Sequence, residues 1–141
     1  MVDSFTLRLY HASRAFQSRV GAALLARLKA RGYGHLTSSQ LTFLAELDCG
    51  PNHGAEIARR TGVSRQAVHK LAKDLEAQGI LALAPDPIRK NQNVITFTAA
   101  GTALMAECRG LLAELDQALT RGMSDQQLRE TIELLSGQPP E

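Results

Sequence analysis

The spacing of apolar residues along the chain predicts a mostly helical protein. From Ser4 to about Ala30, apolar residues recur every three or four positions, which is the period of one helix face. The same period returns from Thr98 to about Thr120 and, more briefly, after Ser124. A long amphipathic helix leaves an apolar stripe exposed to water unless another surface covers it. We therefore expect the first helix to pack against a partner along its length.

The middle of the chain contains shorter elements. Thr37 and Gln40 have the spacing of a capping box, which predicts a second helix that runs to about Asp48. Residues 49–54 are rich in glycine, proline and asparagine and predict a turn. A third helix is expected from Gly54 to Thr61.

The segment that follows predicts a helix-turn-helix. Ala58, Gly62 and Val68 stand where this motif has a small residue between two helices, a glycine at the sharp turn and a branched apolar residue that packs the second helix on the first. Ser64 has the side chain and the position of an N-cap. The helical period then predicts a buried stripe of five residues: Ala67, Val68, Leu71, Ala72 and Leu75.

By elimination, the opposite face of this fourth helix carries hydrogen-bond donors. Together with the cap Ser64, the outward residues are Arg65, Gln66, His69, Lys70 and Lys73. A helix fits the major groove of DNA, where arginine suits guanine and glutamine suits adenine. These residues are therefore candidates for DNA binding, and the alternative is a charged face that only contacts water.

A β-hairpin is predicted next. Ile80–Ala84 and Asn93–Phe97 flank a polar loop, and two prolines in the loop are expected to end the first strand. Two strands and a long loop after a recognition helix make a winged helix, with the loop as the wing. Arg89 and Lys90 at its tip are candidates to enter the minor groove or bind phosphates. The alternative is a basic loop that serves only solubility.

Charge is distributed unevenly, although the formal net charge is only +2. Residues 1–31 hold six basic and one acidic side chain, a net +5, whereas residues 99–141 hold three basic and seven acidic side chains, a net −4. Opposite charge favours packing of the two ends, within a subunit or across a dimer, although exposed ion pairs add little stability. The alternative is two solvated helix faces.

Composition and motifs argue against several other classes of protein. The 141 residues suffice for one domain, and no apolar run approaches the roughly 20 residues of a membrane span, so we expect a cytoplasmic protein without a signal peptide or membrane contact. Cys49 and Cys108 lie far apart and outside any CxxC pair, which indicates buried or bystander thiols. Cys49 and His53 lie four apart, but in a turn and without a second pair, so no metal is expected. The sequence has no recognisable enzyme or cofactor motif.

This order of elements resembles the multiple antibiotic resistance regulator (MarR) family of bacterial transcription factors, over about residues 5 to 136. LTSSQLTFLAEL is similar to the family's second helix, EIARRTGVSRQAVHKLAKDLEAQGIL to its helix-turn-helix, and APDPIRKNQNVITFTAAGTAL to its wing and the next turn. The resemblance implies one domain over residues 1–141, mainly α with a small β-hairpin wing. In it, dimerisation helices at 5–31 and 98–136 flank a winged helix-turn-helix at 37–97.

The resemblance also implies a function. It implies a homodimeric repressor that binds double-stranded DNA at a palindromic operator and is released by a small aromatic or phenolic acid effector, which binds between the dimer helices and the winged domain. His11 and Arg14 on the first helix are candidates to meet the carboxylate of that effector. The alternative is that both are interhelical or solvent-facing polar residues.

The sequence departs from the family pattern at the wing tip and in the first helix. Many members carry Asp-x-Arg at the wing tip, where this chain has Arg89-Lys90-Asn91, so no aspartate is expected to brace the wing arginine and the residue that enters the minor groove stays open. The first helix also lacks the reactive cysteine of the peroxide-sensing branch. The alternative function is a helical protein-interaction module with a degenerate winged helix, which predicts no salt-sensitive binding to duplex DNA.

Overall fold

The computed structural model describes residues 3–89 and 91–137. Over these residues the chain forms helices and strands in the predicted order, with one strand added. The helices are α1 (Phe5–Ala30), α2 (Ser38–Ala45), α3 (Gly54–Thr61), α4 (Arg65–Ala77), α5 (Ala99–Thr120) and α6 (Asp125–Ser136); the strands are β1 (Asn52–His53), β2 (Leu81–Pro85) and β3 (Asn93–Phe97).

The helix starts are set by local capping. The predicted box at α2 is present, because Thr37 Oγ1 accepts the Gln40 N–H and the Gln40 side chain accepts the Thr37 N–H, both at 3.1 Å. The predicted end of α2 at Asp48 is wrong, since the helix ends at Ala45. There the Glu46 and Leu47 N–H groups bond to carbonyls only three residues back, which tightens the backbone out of the α-helical pattern.

The sheet has three antiparallel strands in the order β1-β3-β2. The hairpin runs from the pair Leu81 and Phe97 to the pair Pro85 and Asn93. The second strand has the predicted bounds, whereas the first begins and ends one residue later than predicted, so Pro85 is its last residue and not part of the loop. The predicted turn at 49–54 is wrong only at Asn52 and His53, which form β1 and pair with β3, whereas residues 49–51 bend without regular structure. The buried Asn52 side chain fixes this strand, accepting the Asp48 N–H at 2.8 Å and donating to the Ile95 carbonyl at 3.2 Å.

One hydrophobic core joins the winged region to the C-terminal half of α1 and to α5. Its most deeply buried large side chains come from six elements: Leu28, Leu44, Ile57, Val68, Leu75, Leu81, Leu104 and Leu111. Gly101 lets the start of α5 approach the hairpin, because a Cβ there would lie 2.0 Å from the Ile80 carbonyl oxygen. α4, the hairpin and α5 therefore pack against one another.

The two ends of the chain meet between α1 and α5. Arg27 lies 3.7 Å from Glu114, and Arg31 lies 3.1 Å from Glu107. The basic and acidic ends therefore pair within the subunit, which is one of the two packing arrangements that the charge distribution predicted. Both pairs are partly exposed and add little stability.

Most of the N-terminal half of α1 and of α6 is exposed within the described chain, and α6 has no fully buried residue. Phe5 is 79% exposed, and Ile132 and Leu135 are 63% and 57% exposed. No helix within residues 3–89 and 91–137 has the length and hydrophobicity to cross a membrane.

Candidate nucleic-acid interface

The turn between α3 and α4 presents α4 as the sequence predicted. Gly62 ends α3 with φ of 73°, in the left-handed region that glycine adopts without steric cost. Ser64 Oγ then accepts the Ala67 N–H at 3.1 Å, which caps α4. The sharp turn and the cap set the direction of α4 against α3.

The two faces of α4 divide as predicted. Val68, Ala72 and Leu75 are buried and Ala67 and Leu71 half-buried, so the apolar stripe faces the core. All of the predicted outward residues are exposed: Ser64, Arg65, Gln66, His69, Lys70 and Lys73. Their exposure is confirmed, and their role in binding DNA stays a prediction.

The lysines of this face are paired with carboxylates on the same helix. Lys70 Nζ lies 3.3 Å from Asp74 Oδ2, and Lys73 Nζ lies 3.3 Å from Glu76 Oε1. The other Glu76 oxygen accepts the Leu83 N–H of β2 at 3.2 Å. Within the described residues, Arg65 has no carboxylate within 4.0 Å, so the first turn of α4 carries the uncompensated positive charge.

Three arginines surround a cleft of about 520 Å³ between α3, the start of α4 and the wing. Arg59, Arg65 and Arg89 all line it, together with Glu56. Arg59 was not among the predicted site residues. The sequence offered one indication of it, because Arg59 and Arg60 are a basic pair at the end of the first helix of the helix-turn-helix. Arg60 is directed elsewhere, because its guanidinium donates to the Glu46 carbonyl. The cleft joins helix and wing into one basic surface.

A second, smaller cleft of about 220 Å³ lies between α4 and the sheet. Arg65 and His69 line its helix side, and Asn91, Gln92 and Asn93 line its wing side. Two residues of the exposed α4 face therefore lie beside the polar stretch of the wing.

The wing is held by a buried carboxylate. Asp86 Oδ1 accepts the backbone N–H groups of Ile88 at 2.9 Å and Arg89 at 3.2 Å, and these bonds hold the pKa of Asp86 below its usual value. Asp86 thus binds the main chain of Arg89 from three positions back, which differs from the side-chain brace of the Asp-x-Arg pattern. Arg89 is exposed, and Lys90 lies outside the described residues.

The remaining candidates lie away from this surface. His11 and Arg14 are exposed on α1, and their predicted role with an effector stays untested. Cys49 is exposed and Cys108 is buried, and burial raises the pKa of the Cys108 thiol. Over residues 3–89 and 91–137, no cluster of three or more histidine, cysteine or acidic side chains has a metal-binding arrangement.

Comparison with known proteins supports the resemblance read from the sequence. The sequence model described as MarR family matches residues 35–87. The HTH-type transcriptional repressor NicR of Pseudomonas putida is 32% identical over 84 residues, which are 57% of this chain and 53% of NicR. The chain thus matches about half the length of this relative.

Solved structures match over nearly the whole chain. Wild-type apo MarR from E. coli has a TM-score of 0.77 at 21% identity and covers 99% of both chains. A mutant MarR from E. coli complexed with operator DNA has a TM-score of 0.75 at 22% identity, over 94% of this chain and 92% of that one. BpsR of Bordetella bronchiseptica, whose DNA binding is regulated by 6-hydroxynicotinic acid, has a TM-score of 0.70 at 22% identity. The match covers 96% of this chain and 95% of the BpsR chain. The chain therefore has the MarR fold, and residues 35–87 carry the sequence pattern of the MarR family, which confirms the predicted resemblance.

Proposed function

We propose that the protein is a sequence-specific, double-stranded DNA-binding transcriptional repressor of MarR type. In this proposal α4 enters the major groove, where Arg65 and Gln66 contact base edges. Arg89 of the wing reaches the adjacent minor groove or its phosphates, and Arg59 and Ser64 contact the backbone between them. His69, Lys70 and Lys73 continue the contact along α4.

The observation that carries this proposal is the division of α4 into two faces beside a basic cleft. A helix whose apolar side is buried in the core presents its polar side as a rigid surface. Arg59 and Arg89 line the same cleft as Arg65, so α3, α4 and the wing all bring positive charge to it, beside the single carboxylate of Glu56. Duplex DNA is a partner of matching charge and groove width.

We further propose that two copies bind a palindromic operator. The exposed apolar residues of α1 and α6 supply a surface for a second copy, and a two-fold dimer presents two equivalent α4 helices. A small aromatic acid is proposed as the effector, because BpsR, which has the same fold, responds to 6-hydroxynicotinic acid. His11 and Arg14 are candidates for its carboxylate. An effector of this kind releases DNA only if it binds the two dimer arrangements with different affinities.

Titration of duplex DNA across salt concentrations tests the proposal. The duplex is taken from the region upstream of the protein's own gene and labelled for fluorescence anisotropy. We expect log affinity to fall linearly with log salt concentration, since binding releases counterions from phosphates. Arg65→Ala should weaken binding by about 1 to 3 kcal/mol, whereas Arg109→Ala, an equal charge change on α5, should have little effect.

Weak binding that does not respond to salt, equal in all three proteins, would overturn the proposal. That outcome would favour the alternative, a helical interaction module whose winged helix does not bind DNA.

A further inference from the structure

The wing contains the one charged side chain that is buried in the described part of the chain. Asp86 is 6% exposed, although it lies in a loop between two strands. Burying a carboxylate is costly unless hydrogen bonds and opposite charge compensate for the water that it loses. The contacts of Asp86 therefore identify what its burial holds in place.

The first set of contacts closes the wing turn. Asp86 Oδ1 accepts the N–H groups of Ile88 and Arg89, which is the pattern of an Asx turn. The Asp86 N–H donates to the Gln92 carbonyl, and the Gln92 N–H donates to the Arg89 carbonyl, both at 2.9 Å. The backbone at Arg89 is thus held from both sides of the loop.

The second contact ties this turn to the helix-turn-helix. Asp86 Oδ2 lies 3.4 Å from His53 Nδ1, and His53 is the residue that directly precedes α3. His53 Nδ1 is buried and makes no aligned hydrogen bond to the rest of the described chain, so the carboxylate is its close polar neighbour. The His53 side chain makes no capping bond to α3, and the contact with Asp86 is therefore separable from the start of the helix.

The side-chain contacts of the two sets use different oxygens of the Asp86 carboxylate: Oδ1 binds the wing backbone, and Oδ2 faces His53. One oxygen orders the backbone that carries Arg89, and the other faces His53, the last residue of β1, directly before the helix that carries Arg59. Without them, the tip of a two-stranded ribbon would sample many positions relative to α4. Ordering such a loop on binding would then lower the affinity.

From this geometry we infer that Asp86 is a positioning residue for DNA binding, which holds the wing against His53 so that Arg89 and Arg65 meet one duplex together. The inference rests on the proposed DNA-binding function. Asp86 itself does not contact DNA in this proposal, because its carboxylate is buried and its negative charge would repel phosphates.

Single variants at Asp86, His53, Arg89 and Asp116, together with one double variant, test the inference on the full chain, with the duplex and the salt titration described above. Asp86→Ala is expected to weaken binding on the order of tenfold and to lower the salt slope by about 1, as for a lost phosphate contact. Asp86→Asn keeps the acceptor for Ile88 and Arg89 and should recover most of the affinity. His53→Ala should give a smaller loss in the same direction as Asp86→Ala. Asp116→Asn on α5 is the charge control and should bind as the wild type does.

The double variant separates positioning from a general loss of stability. If Asp86 acts through Arg89, Asp86→Ala should cost nothing further in an Arg89→Ala background. Additive losses, or an Asp86→Ala protein that binds as tightly and with the same salt slope as the wild type, would overturn the inference alone. A wild type without salt-sensitive binding would instead overturn the proposed function, and the inference would fall with it.

Discussion

The winged region and the two ends of the chain are built from the same kind of amphipathic helix, yet they treat their apolar faces differently. In the winged region, α3 and α4 bury Ile57, Val68 and Leu75 inside a single chain. At the ends, α1 exposes Phe5, and α6 buries none of its described residues while it exposes Ile132 and Leu135. The winged region completes its core within the chain, together with α5 and the C-terminal half of α1. The N-terminal half of α1 and α6 instead present an apolar surface that a second chain would cover.

This difference separates two parts of the proposed function. The winged region holds everything that contacts DNA in the proposal, namely a capped reading helix, a basic cleft and a braced wing. The chain ends hold the surface that would set the distance between two such regions. Changes at the ends should therefore alter DNA affinity without altering the fold of the winged region. Inside the winged region, changes to the buried residues should alter the fold, and changes to the exposed basic residues should alter DNA affinity.

The largest effect is expected from charge placed on the exposed face of α6. The double substitution Ile132→Glu and Leu135→Glu should give a monomer, and affinity for a two-site duplex should fall about a hundredfold because the two reading helices are no longer linked. Analytical ultracentrifugation and anisotropy measure the two effects. Gln126→Glu, on the polar side of α6, is the control. A double variant that stays dimeric, or a monomer that binds as tightly as the wild type, would contradict the comparison.

A smaller effect, on stability, is expected from Gly101→Ala. The added methyl would meet the Ile80 carbonyl oxygen at 2.0 Å, so α5 must move away from the hairpin, at a cost of about 1 to 3 kcal/mol in the free energy of unfolding. Gly110→Ala on the same helix meets nothing within 4 Å and should be neutral or stabilising, because alanine favours helix. Urea denaturation measures the free energy of unfolding of both variants. Equal stabilities would show that the packing of α5 on Ile80 is loose.

The N-cap of the reading helix should contribute about 1 kcal/mol. Ser64→Ala removes the acceptor for the Ala67 N–H and should lower the free energy of unfolding by about that amount. Ser18→Ala, on the exposed face of α1, is the matched control and should change stability by less than about 0.5 kcal/mol. Thermal unfolding distinguishes the two, and a Ser64→Ala protein as stable as the control would contradict the capping role.

The smallest expected effect is a response of the wing to acid. The pKa of Asp86 is lowered by the N–H groups of Ile88 and Arg89, so the ionised carboxylate stabilises the fold above the ordinary aspartate pKa. That stabilisation should be lost as pH falls through the lowered pKa of the folded state. The Ile88 and Arg89 amide signals in NMR spectra should shift over that range and should not shift in Asp86→Asn. A titration at or above the ordinary aspartate pKa would contradict the bonding of the wing turn.

Sequence reasoning predicted the features that depend on neighbouring residues. The caps at Thr37 and Ser64, the glycine turn at Gly62 and the exposed face of α4 all follow from spacings of three or four residues. These features account for most of the fold and for the helix part of the candidate site.

The missed features depend on residues that are distant in sequence. The strand β1 forms because Asn52 bonds to Ile95, 43 residues away, and a two-residue strand has no period of its own. The Asp86 and His53 contact and the position of Arg59 beside Arg89 likewise appear only once the hairpin folds back on α3. The family pattern did not predict the Asp86 contact, because this carboxylate binds the backbone of Arg89 and not its side chain.

The central claim is that the exposed face of α4 reads bases, and base-by-base substitution in a bound duplex tests it most directly. Affinities of the wild type and of Arg65→Ala are measured for every single base-pair change in the site. We expect the wild type to lose about 1 to 3 kcal/mol at the pair that Arg65 contacts, and Arg65→Ala to become indifferent at that pair while it keeps its preferences elsewhere. An Arg65→Ala protein with the same base preferences as the wild type at every position would contradict the account.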